Sequence, residues 1–278
     1  MKDSIVLLRK AWKLAELAAY PERKLHHATA QVLTRHVCES LDGVSVLAAK
    51  GCAEPCKPLL RSSLEAMLGI QYILEADEER RGLAYQVAHA HRKIALYKRL
   101  DPNENAGKAL AATLASDPLA AGVIDDLPAH FNLQKMIANL EAPVDAEWVR
   151  ASKKKDAHWY SLFGGPKSLR DLAIHIKHGG MYEFLYRHWS NNVHAGDCFE
   201  TLSPGPNGSV IIRPIRHPEG LQSMVGLAVS ICLAVSRTLL GRYGTQQQHA
   251  DFQADYVANI QQRNQALRQG DLIKVPWR

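Results

Sequence analysis

The sequence has few of the features that mark secreted, membrane-spanning or disulfide-bonded proteins. Only five of its 278 residues are cysteines, and this odd, sparse set implies neither a secreted disulfide framework nor a four-cysteine zinc site. Charged residues interrupt the apolar pattern of residues 1–20, which excludes a signal-peptide core, and the best apolar run, Met224–Ser236, is too short to span a bilayer. We therefore expect reduced thiols, a cytoplasmic location and no membrane partner.

The motifs of common cofactor sites are also missing. There is no Gly-rich phosphate-binding loop, no serine nucleophile elbow and no dinucleotide-binding fingerprint. Cys52 and Cys56 lie four residues apart, but no second ligand pair has the spacing of a zinc site, so small buried thiols are the better interpretation. His89 and His91 do not share a helical face as ligands at i and i+4 do. We expect neither a metal ion nor another cofactor.

The chain also lacks a strong excess of one charge sign. It has 34 Lys and Arg residues against 28 Asp and Glu residues, which gives a formal net charge of +6 and a pI near 9.0. That balance is compatible with a polyanionic partner such as a nucleic acid, without requiring one. Hydrophobic residues make up 46% of the chain, which is near the globular average and sufficient for a sizeable core.

What the sequence does contain is helical periodicity along nearly its whole length. Apolar residues recur at helical spacing, and proline or glycine breaks separate the periodic segments. Helices are predicted near residues 3–19, 22–49, 57–76, 79–100, 104–115, 131–141, 168–177, 181–195, 219–242 and 247–268. Turn residues followed by a β-branched run predict one short β-hairpin or extended excursion near residues 203–216. The expected fold is all-α, in a single domain covering residues 1–278 with a variable middle at residues 101–166.

One predicted helix carries a candidate functional pair. Arg187 and His194 are seven residues apart, so at about 100° per residue they lie within about 20° of one helical face and roughly 10 Å apart along the axis. Arginine is a permanent, planar clamp for phosphate, and histidine is the side chain that exchanges a proton near neutral pH. The two side chains can therefore converge on one phosphate.

The surroundings of this pair have two interpretations. The polar side, which also carries Glu183, Ser190 and Asn191, is either the solvated face of an amphipathic helix or a binding surface. Serine and asparagine are mediocre helix formers, and a face optimised only for stability would rather carry Lys, Glu or Gln. The opposite side is a predicted buried stripe, formed by Tyr182, Tyr186, Trp189 and Val193.

These residues resemble the signature of the HEPN superfamily, small helical bundles found in bacterial toxins, abortive-infection proteins and RNA-guided defence nucleases. The signature is an arginine, a polar residue and, after four to six intervening residues, a histidine; here His188 follows Arg187, and six residues separate Arg187 from His194. An upstream Arg-x-x-x-Glu, matched by Arg61 and Glu65, occurs in one similar group of uncharacterised bacterial HEPN-like proteins. Further positions that resemble this group are Trp159, residues 167–173, Tyr182, Tyr186, Ser190, Val193 and Ala195.

The resemblance covers about residues 55–240 and implies a fold and an activity. The fold is a HEPN-like helical bundle, with the helices of residues 1–50 and 247–268 packed on it. The activity is metal-independent endoribonucleolytic cleavage to 2′,3′-cyclic phosphate and 5′-hydroxyl ends, in which His194 moves the proton and Arg187 stabilises charge on the phosphorane oxygens. Supporting or RNA-binding roles fall to His188, Ser190, Asn191, Arg61, Glu65 and Tyr186. The implied partners are RNA, with tRNA as one candidate, a second copy that completes a composite active site, and an antitoxin or activator protein.

Several alternatives stay open at the level of sequence. Arg61 and Glu65 either form an intrahelical ion pair, although arginine before glutamate is the less favourable order, or reach across to the helix of Arg187. In the second case Glu65 would orient Arg187 or His194, and Arg61 would add positive charge for phosphate. The function is a toxin or antiphage ribonuclease, a noncatalytic helical module that binds RNA or protein through the same polar face, or an enzyme acting on a small phosphorylated metabolite.

Overall fold

The computed structural model describes residues 1–19, 25–117, 132–139, 157–189 and 198–269. These residues are mostly helical and include one short, two-stranded antiparallel sheet, so the predicted all-α class is confirmed. In chain order the helices are α1 (Lys2–Ala19), α2 (Leu25–Ala49), α3 (Cys56–Glu75), α4 (Glu78–Leu100), α5 (Asn105–Leu114), α6 (133–139), α7 (Leu169–His175), α8 (179–189), α9 (Leu221–Tyr243) and α10 (246–269). A 3₁₀ turn at Trp159–Gly164 precedes α7.

The chain forms two compact units. One contains residues Met1–Glu79 and Leu169–Arg278, and the other contains Arg80–Ser168. The second unit is therefore inserted in the sequence of the first, and it contains nearly all of α4 together with the predicted variable middle, residues 101–166. The single domain of residues 1–278 and the HEPN-like core of residues 55–240 stay predictions.

The core of the first unit is built around α3, which lies against α2 and α9, while α1 packs on α2 and α9. The helical spacing of Leu60, Leu64, Met67 and Leu68 puts these side chains on one face of α3, and all four are fully buried. Burying a side chain of this size stabilises the fold by about 1.5–3 kcal/mol. Arg61, which is half-buried, and Glu65, which is exposed, lie beside this face on α3.

Helix α9 is long and apolar enough to cross a membrane, by length and composition alone. Its most apolar stretch has a mean hydropathy of 1.8, so the expectation that this run is too short to span a bilayer does not hold for the whole helix. However, 56% of that stretch is buried inside the protein, and a helix surrounded by other helices in a soluble core is also apolar on most sides. The structure is therefore consistent with a soluble protein.

The second unit has a small core of its own. Val87, Ala88 and Ile94 of α4 pack with Ile137 and Leu162, and all five side chains are buried. At the edge of this cluster the rings of Tyr85 and Trp159 meet edge to face, with their centroids 5.3 Å apart. Trp159, which belongs to the HEPN-like pattern, thus contributes to packing in this unit.

The predicted β-hairpin is confirmed. Strand β1 (Leu202–Pro204) pairs antiparallel with β2 (Val210–Ile212), and Ser203 lies opposite Ile211. The connection turns at Asn207 and Gly208, whose φ values of 57° and 75° are left-handed, a conformation that Asn and Gly adopt most readily. The hairpin follows α8 in sequence and precedes α9.

Helix α10 begins with a capping box that the sequence Thr-Gln-Gln-Gln specifies. The Thr245 hydroxyl accepts a hydrogen bond from the backbone N–H of Gln248, and the Gln248 side chain accepts one from the backbone N–H of Thr245. The helix contains a π-helical turn at Val257–Gln261 before it continues to Gln269. The predicted C-terminal helix of residues 247–268 is confirmed.

Candidate functional site

Helix α8, which carries Arg187, is not a regular α-helix. It is α-helical at Gly179–Met181, π-helical at Tyr182–Tyr186 and α-helical again over the described residues that follow. The backbone N–H of Arg187 donates to the carbonyl of Tyr182, five residues back, which widens the turn. Single π turns inside α-helices occur frequently at functional sites. The stacked rings of Tyr182 and Tyr186, with centroids 5.3 Å apart, lie along this turn.

Tyr186 joins α8 to α3. Its hydroxyl accepts a hydrogen bond from Nη2 of Arg61 at 2.9 Å and donates one to Oε2 of Glu65 at 3.1 Å. The guanidinium carbon of Arg61 also lies 4.4 Å from the centroid of the Tyr186 ring, within the range of a cation–π contact. One tyrosine therefore holds both charged residues of the Arg-x-x-x-Glu sequence.

This arrangement decides between the two interpretations of Arg61 and Glu65. Among the described residues they do not form an ion pair with each other, and both reach across to α8. Their contact there is Tyr186, however, and not Arg187, so the structure does not show Glu65 bound to Arg187. The reason is the position of the side chains on the widened turn, which directs Tyr186 towards α3 and leaves Arg187 on the exposed side. The other half of that alternative, in which Glu65 orients His194, lies outside the described residues.

The environment of Tyr186 changes its acidity. Burial, and next the neighbouring Glu65 carboxylate, raise the pKa of the Tyr186 hydroxyl to about 12, while Arg61 acts in the opposite direction. Tyr186 is therefore a neutral donor to Glu65 throughout the physiological range. The Tyr186 hydroxyl therefore stays protonated below the pKa of an ordinary tyrosine, near 10.

Replacement of this hydroxyl gives a pH-dependent prediction. Tyr186→Phe should lower the free energy of unfolding by about 1 kcal/mol near pH 7, since two hydrogen bonds to charged but partly solvated groups are lost. Because the pKa is higher in the folded state, this contribution is fully present below about pH 10 and is lost as the pH rises towards 12. Urea unfolding at pH 7, 9 and 11 should show the difference between wild type and variant shrinking.

Tyr182→Phe is the matched control for that experiment. Tyr182 lies in the same π turn and stacks on the Tyr186 ring, but its hydroxyl makes no hydrogen bond within the described part of the chain. It should therefore change stability little and with no dependence on pH above 9. A loss that is equal in the two variants, or constant from pH 7 to 11, would contradict the role assigned to Tyr186.

Arg187 lies on the exposed side of α8 in a small charged cluster. Its side chain is 75% exposed, and its Nη1 is 3.4 Å from Oε2 of Glu183. The other oxygen of Glu183 accepts a shorter hydrogen bond of 2.6 Å from Nε of Arg170 on α7. That bond, and the weaker one from Arg187, lower the pKa of the Glu183 carboxyl. Two guanidinium groups thus share one carboxylate at the surface.

The predicted site residues are distributed unevenly over the structure. Arg61, Glu65 and Tyr186 come together, Arg187 lies one residue beyond Tyr186, and His188 is exposed on the same helix. The predicted buried stripe is confirmed only at Trp189, because the stacked side chains of Tyr182 and Tyr186 are half-buried. Five positions named from the sequence lie outside the described residues: Ser190, Asn191, Val193, His194 and Ala195.

Two contacts near the site were not predicted from the sequence. Arg170 binds the carboxylate that also binds Arg187; its only signal was its place in the short helix start that resembles HEPN-like proteins. His36 of α2 hydrogen-bonds through Nε2 to the hydroxyl of Ser62 at 2.7 Å, next to Arg61 in sequence. No local pattern connects His36 and Ser62, since they are 26 residues apart.

The described residues do not hold a cluster of three or more metal-ligating side chains. The Cys56 thiol donates to the backbone carbonyl of Cys52 at 3.1 Å, and burial raises its pKa to about 11. A thiol with a raised pKa is a poor ligand and a poor nucleophile. This fits the interpretation of Cys56 as a small buried side chain.

Comparisons with known proteins identify a family but not an activity. No curated protein and no solved structure matches the chain at a significant level. One family model matches residues 27–202, which is more than half of the chain and includes α3 and all described residues of α8. By this match the chain belongs to DUF5677, a family of unknown function.

Proposed function

We propose that the protein is a metal-independent endoribonuclease of HEPN type. The observation that carries the proposal is the position of Arg187: it is highly exposed, adjacent to a second arginine, Arg170, and held on a helix that Tyr186 fixes to α3. A guanidinium group that is open to solvent, on a helix whose position is fixed, is suited to bind a phosphodiester. Arg61 adds a third positive charge behind Tyr186.

The reaction needs one group that moves protons and one that stabilises negative charge. The 2′-hydroxyl of the RNA attacks the adjacent phosphorus and loses its proton to a base, while the bond to the 5′-oxygen breaks and that oxygen takes up a proton. In the proposal Arg187 stabilises the phosphorane oxygens. His194 is the proton-transferring group, an assignment that rests on the sequence pattern because His194 lies outside the described residues. Ser190, Asn191 and His188 are candidates for holding the phosphate.

The ion pair of Arg187 with Glu183 is compatible with this role. Exposed ion pairs of this kind stabilise a protein by about 0–1 kcal/mol, and the 3.4 Å contact is long for a charge-assisted hydrogen bond. A phosphodiester, whose single negative charge is shared by two oxygens, can therefore displace the Glu183 carboxylate from Arg187. Arg170 keeps the carboxylate engaged at 2.6 Å when that happens.

The proposed biological setting follows the HEPN resemblance. A ribonuclease of this type would act in the cytoplasm as a toxin or antiphage defence effector, on RNA such as tRNA. An antitoxin or activator protein would control it, and two copies would combine their Arg187 and His194 side chains in one composite cleft. Each copy then needs only one histidine for the two proton transfers.

Cleavage of RNA by the purified protein tests the proposal. Wild type should produce 2′,3′-cyclic phosphate and 5′-hydroxyl ends from total RNA or tRNA, in the presence of EDTA, and should leave DNA of the same sequence intact because DNA lacks the attacking hydroxyl. His194→Ala should lower the rate by about 10²–10⁴-fold while the circular dichroism spectrum is unchanged. Mass spectrometry of the product ends identifies the chemistry.

His249→Ala is the control for that substitution. His249 is an exposed histidine on α10, so its removal alters the charge and histidine content by the same amount. Absence of cyclic-phosphate ends with wild type, or an equal loss of activity in the two variants, would refute the ribonuclease.

The alternative is a noncatalytic module that binds RNA or a protein through the same face. It is favoured by the fact that Glu183 binds both Arg170 and Arg187, which gives the arginines a structural role. Such a module should bind RNA with an affinity that decreases when Arg187 is replaced, and should produce no cleavage at any protein concentration. Binding and cleavage measured on the same RNA separate the two functions.

A further inference from the structure

The hairpin β1–β2 exposes an unusual amount of apolar surface. Fourteen large hydrophobic side chains are exposed among the described residues, and six of them lie between residues 199 and 215. They are Phe199 (83%), Leu202 (37%), Val210 (66%), Ile211 (47%), Ile212 (76%) and Ile215 (90%). A two-stranded hairpin is at best marginally stable in water by itself. Another surface that covers this hairpin would therefore stabilise it.

The two edges of the hairpin differ in their capacity to pair. The backbone bonds Gly205 N–H to Ser209 C=O and Arg213 N–H to Thr201 C=O show that odd-numbered residues of the hairpin face the other strand. The N–H and C=O groups of the even-numbered residues therefore point outwards. On β1 one of the outward-pointing residues is Pro204, which has no N–H, so the β1 edge cannot pair fully with another strand. On β2 the outward-pointing residues are Val210 and Ile212, and each has both a backbone N–H donor and a C=O acceptor.

We propose that the β2 edge pairs with the β2 edge of a second copy of this chain. In this arrangement Ile211 lies opposite Ile211 of the second copy. Val210 of each copy then lies opposite Ile212 of the other, and each of these two pairs forms two backbone hydrogen bonds, four in all. The two neighbouring antiparallel registers are unfavourable. If Ile212 lies opposite Ile212, Val210 must pair with Pro214, which lacks the required N–H. If Val210 lies opposite Val210, Ile212 must pair with Gly208, whose φ of 75° is not that of an extended strand.

The charges near the edge permit this pairing. Arg213 would lie opposite the uncharged Ser209 of the second copy, so no like charges face each other. Arg213 is also tied within its own chain, because Nη1 is 2.5 Å from a Glu219 oxygen and Nη2 donates to the carbonyl of Glu200. The edge therefore carries no free charge of the kind that commonly prevents exposed strands from pairing.

The pairing also extends the hairpin itself. It joins the two hairpins into one four-stranded antiparallel sheet, which supplies the further strands that a two-stranded hairpin needs for stability. Pairing at the β2 edge puts Leu202, Val210 and Ile212 on the same face as their counterparts in the second copy, since all have the same alternation. This inference concerns how the two copies of the proposed composite cleft are joined and in that respect rests on the proposed function, but a lack of RNA cleavage would not contradict it.

Two double variants test the pairing and its register. Val210→Lys with Ile212→Lys places ammonium groups opposite each other across the two-fold axis, whereas Val210→Glu with Ile212→Lys places a carboxylate opposite an ammonium group. Both lose the same two apolar side chains. Wild type and the Glu/Lys variant should be dimers by light scattering at micromolar concentration, and the Lys/Lys variant should dissociate at a concentration at least about tenfold higher.

The outcomes separate this interface from other occupants of the same surface. A monomeric wild type, a Lys/Lys variant that stays as dimeric as wild type, or a Glu/Lys variant as weak as the Lys/Lys variant would overturn the proposal. Circular dichroism and thermal unfolding of both variants verify that the helical fold is retained. This is expected because both substituted side chains are exposed and, among the described residues, the outward N–H and C=O groups of Val210 and Ile212 make no backbone hydrogen bond with other elements of their own chain.

A disulfide provides an independent check of the register. In a protein with Cys198→Ser, which removes the exposed native thiol, Ile211→Cys should form a covalent dimer on mild oxidation. Facing residues of a non-hydrogen-bonded antiparallel pair have Cα atoms about 4.5 Å apart, within the range of a disulfide. Val210→Cys should not cross-link, because it faces position 212. Equal cross-linking of the Ile211→Cys and Val210→Cys proteins, or no cross-linking of the Ile211→Cys protein, would contradict the register.

Discussion

Arg187→Ala is expected to reduce the rate of RNA cleavage by about 10²–10³-fold, the usual effect of removing one donor that stabilises a developing oxyanion. The Arg187 side chain contributes little to the stability of the fold, because its contact with Glu183 is 3.4 Å long and the side chain is 75% exposed. The substitution should therefore leave thermal stability nearly unchanged. Rates are measured as the appearance of 2′,3′-cyclic phosphate ends with RNA in excess.

The chain offers a closely matched control in Arg35. Arg35 forms an ion pair with Glu39 on α2 at 2.8 Å, also four residues apart along a helix, and its side chain is 66% exposed. Arg35→Ala removes the same charge from the same kind of pair and should preserve the cleavage rate. Arg187→Lys should give an intermediate loss, since it keeps the charge but not the planar, bidentate guanidinium. If Arg35→Ala and Arg187→Ala lowered the cleavage rate by a similar factor, the rate would depend on the net positive charge of the protein and not on Arg187 in particular.

Leu64→Ala is expected to lower the free energy of unfolding by about 3 kcal/mol. Leu64 is fully buried on α3, the helix that lies between α2 and α9, and neighbours on both sides leave little freedom to fill the space. This free energy is measured by urea unfolding, with near-UV circular dichroism as the signal for loss of tertiary structure. Leu17→Ala, at a leucine of α1 that is 60% exposed, should cost less than about 1 kcal/mol. Equal costs at the two positions would contradict the assignment of α3 to the centre of the core.

Much of the helical scaffold could be predicted from the sequence because the apolar period of a helix is directly visible. The spacing of Leu60, Leu64 and Met67 predicts a buried face for α3, and the structure has it. The hairpin was predictable for another reason: turn residues at 204–208 stand before a β-branched run, and this combination rarely continues a helix.

The geometry of the candidate site was less accessible. A pattern based on 100° per residue assumes a regular helix, and the π turn of Tyr182–Tyr186 breaks that assumption next to Arg187. The sequence also could not identify Tyr186 as the group that receives both Arg61 and Glu65, since a tyrosine in an aromatic stripe looks like core. Only the three-dimensional contact between helices shows that its hydroxyl is the polar link.

The insertion of one unit in the sequence of the other has a consequence for the order of assembly during synthesis. Arg61 and Tyr186 are 125 residues apart, so at about 5–20 residues per second the ribosome produces them roughly 6–25 s apart. Closing so long a loop is also entropically costly, and contacts of this kind form late in folding. The link between α3 and α8 therefore forms only after the whole intervening unit has been made. In a nascent chain the contact between Arg61 and Tyr186 would therefore form late, which delays any activity that depends on the position of α8 while most of the chain is already outside the ribosome.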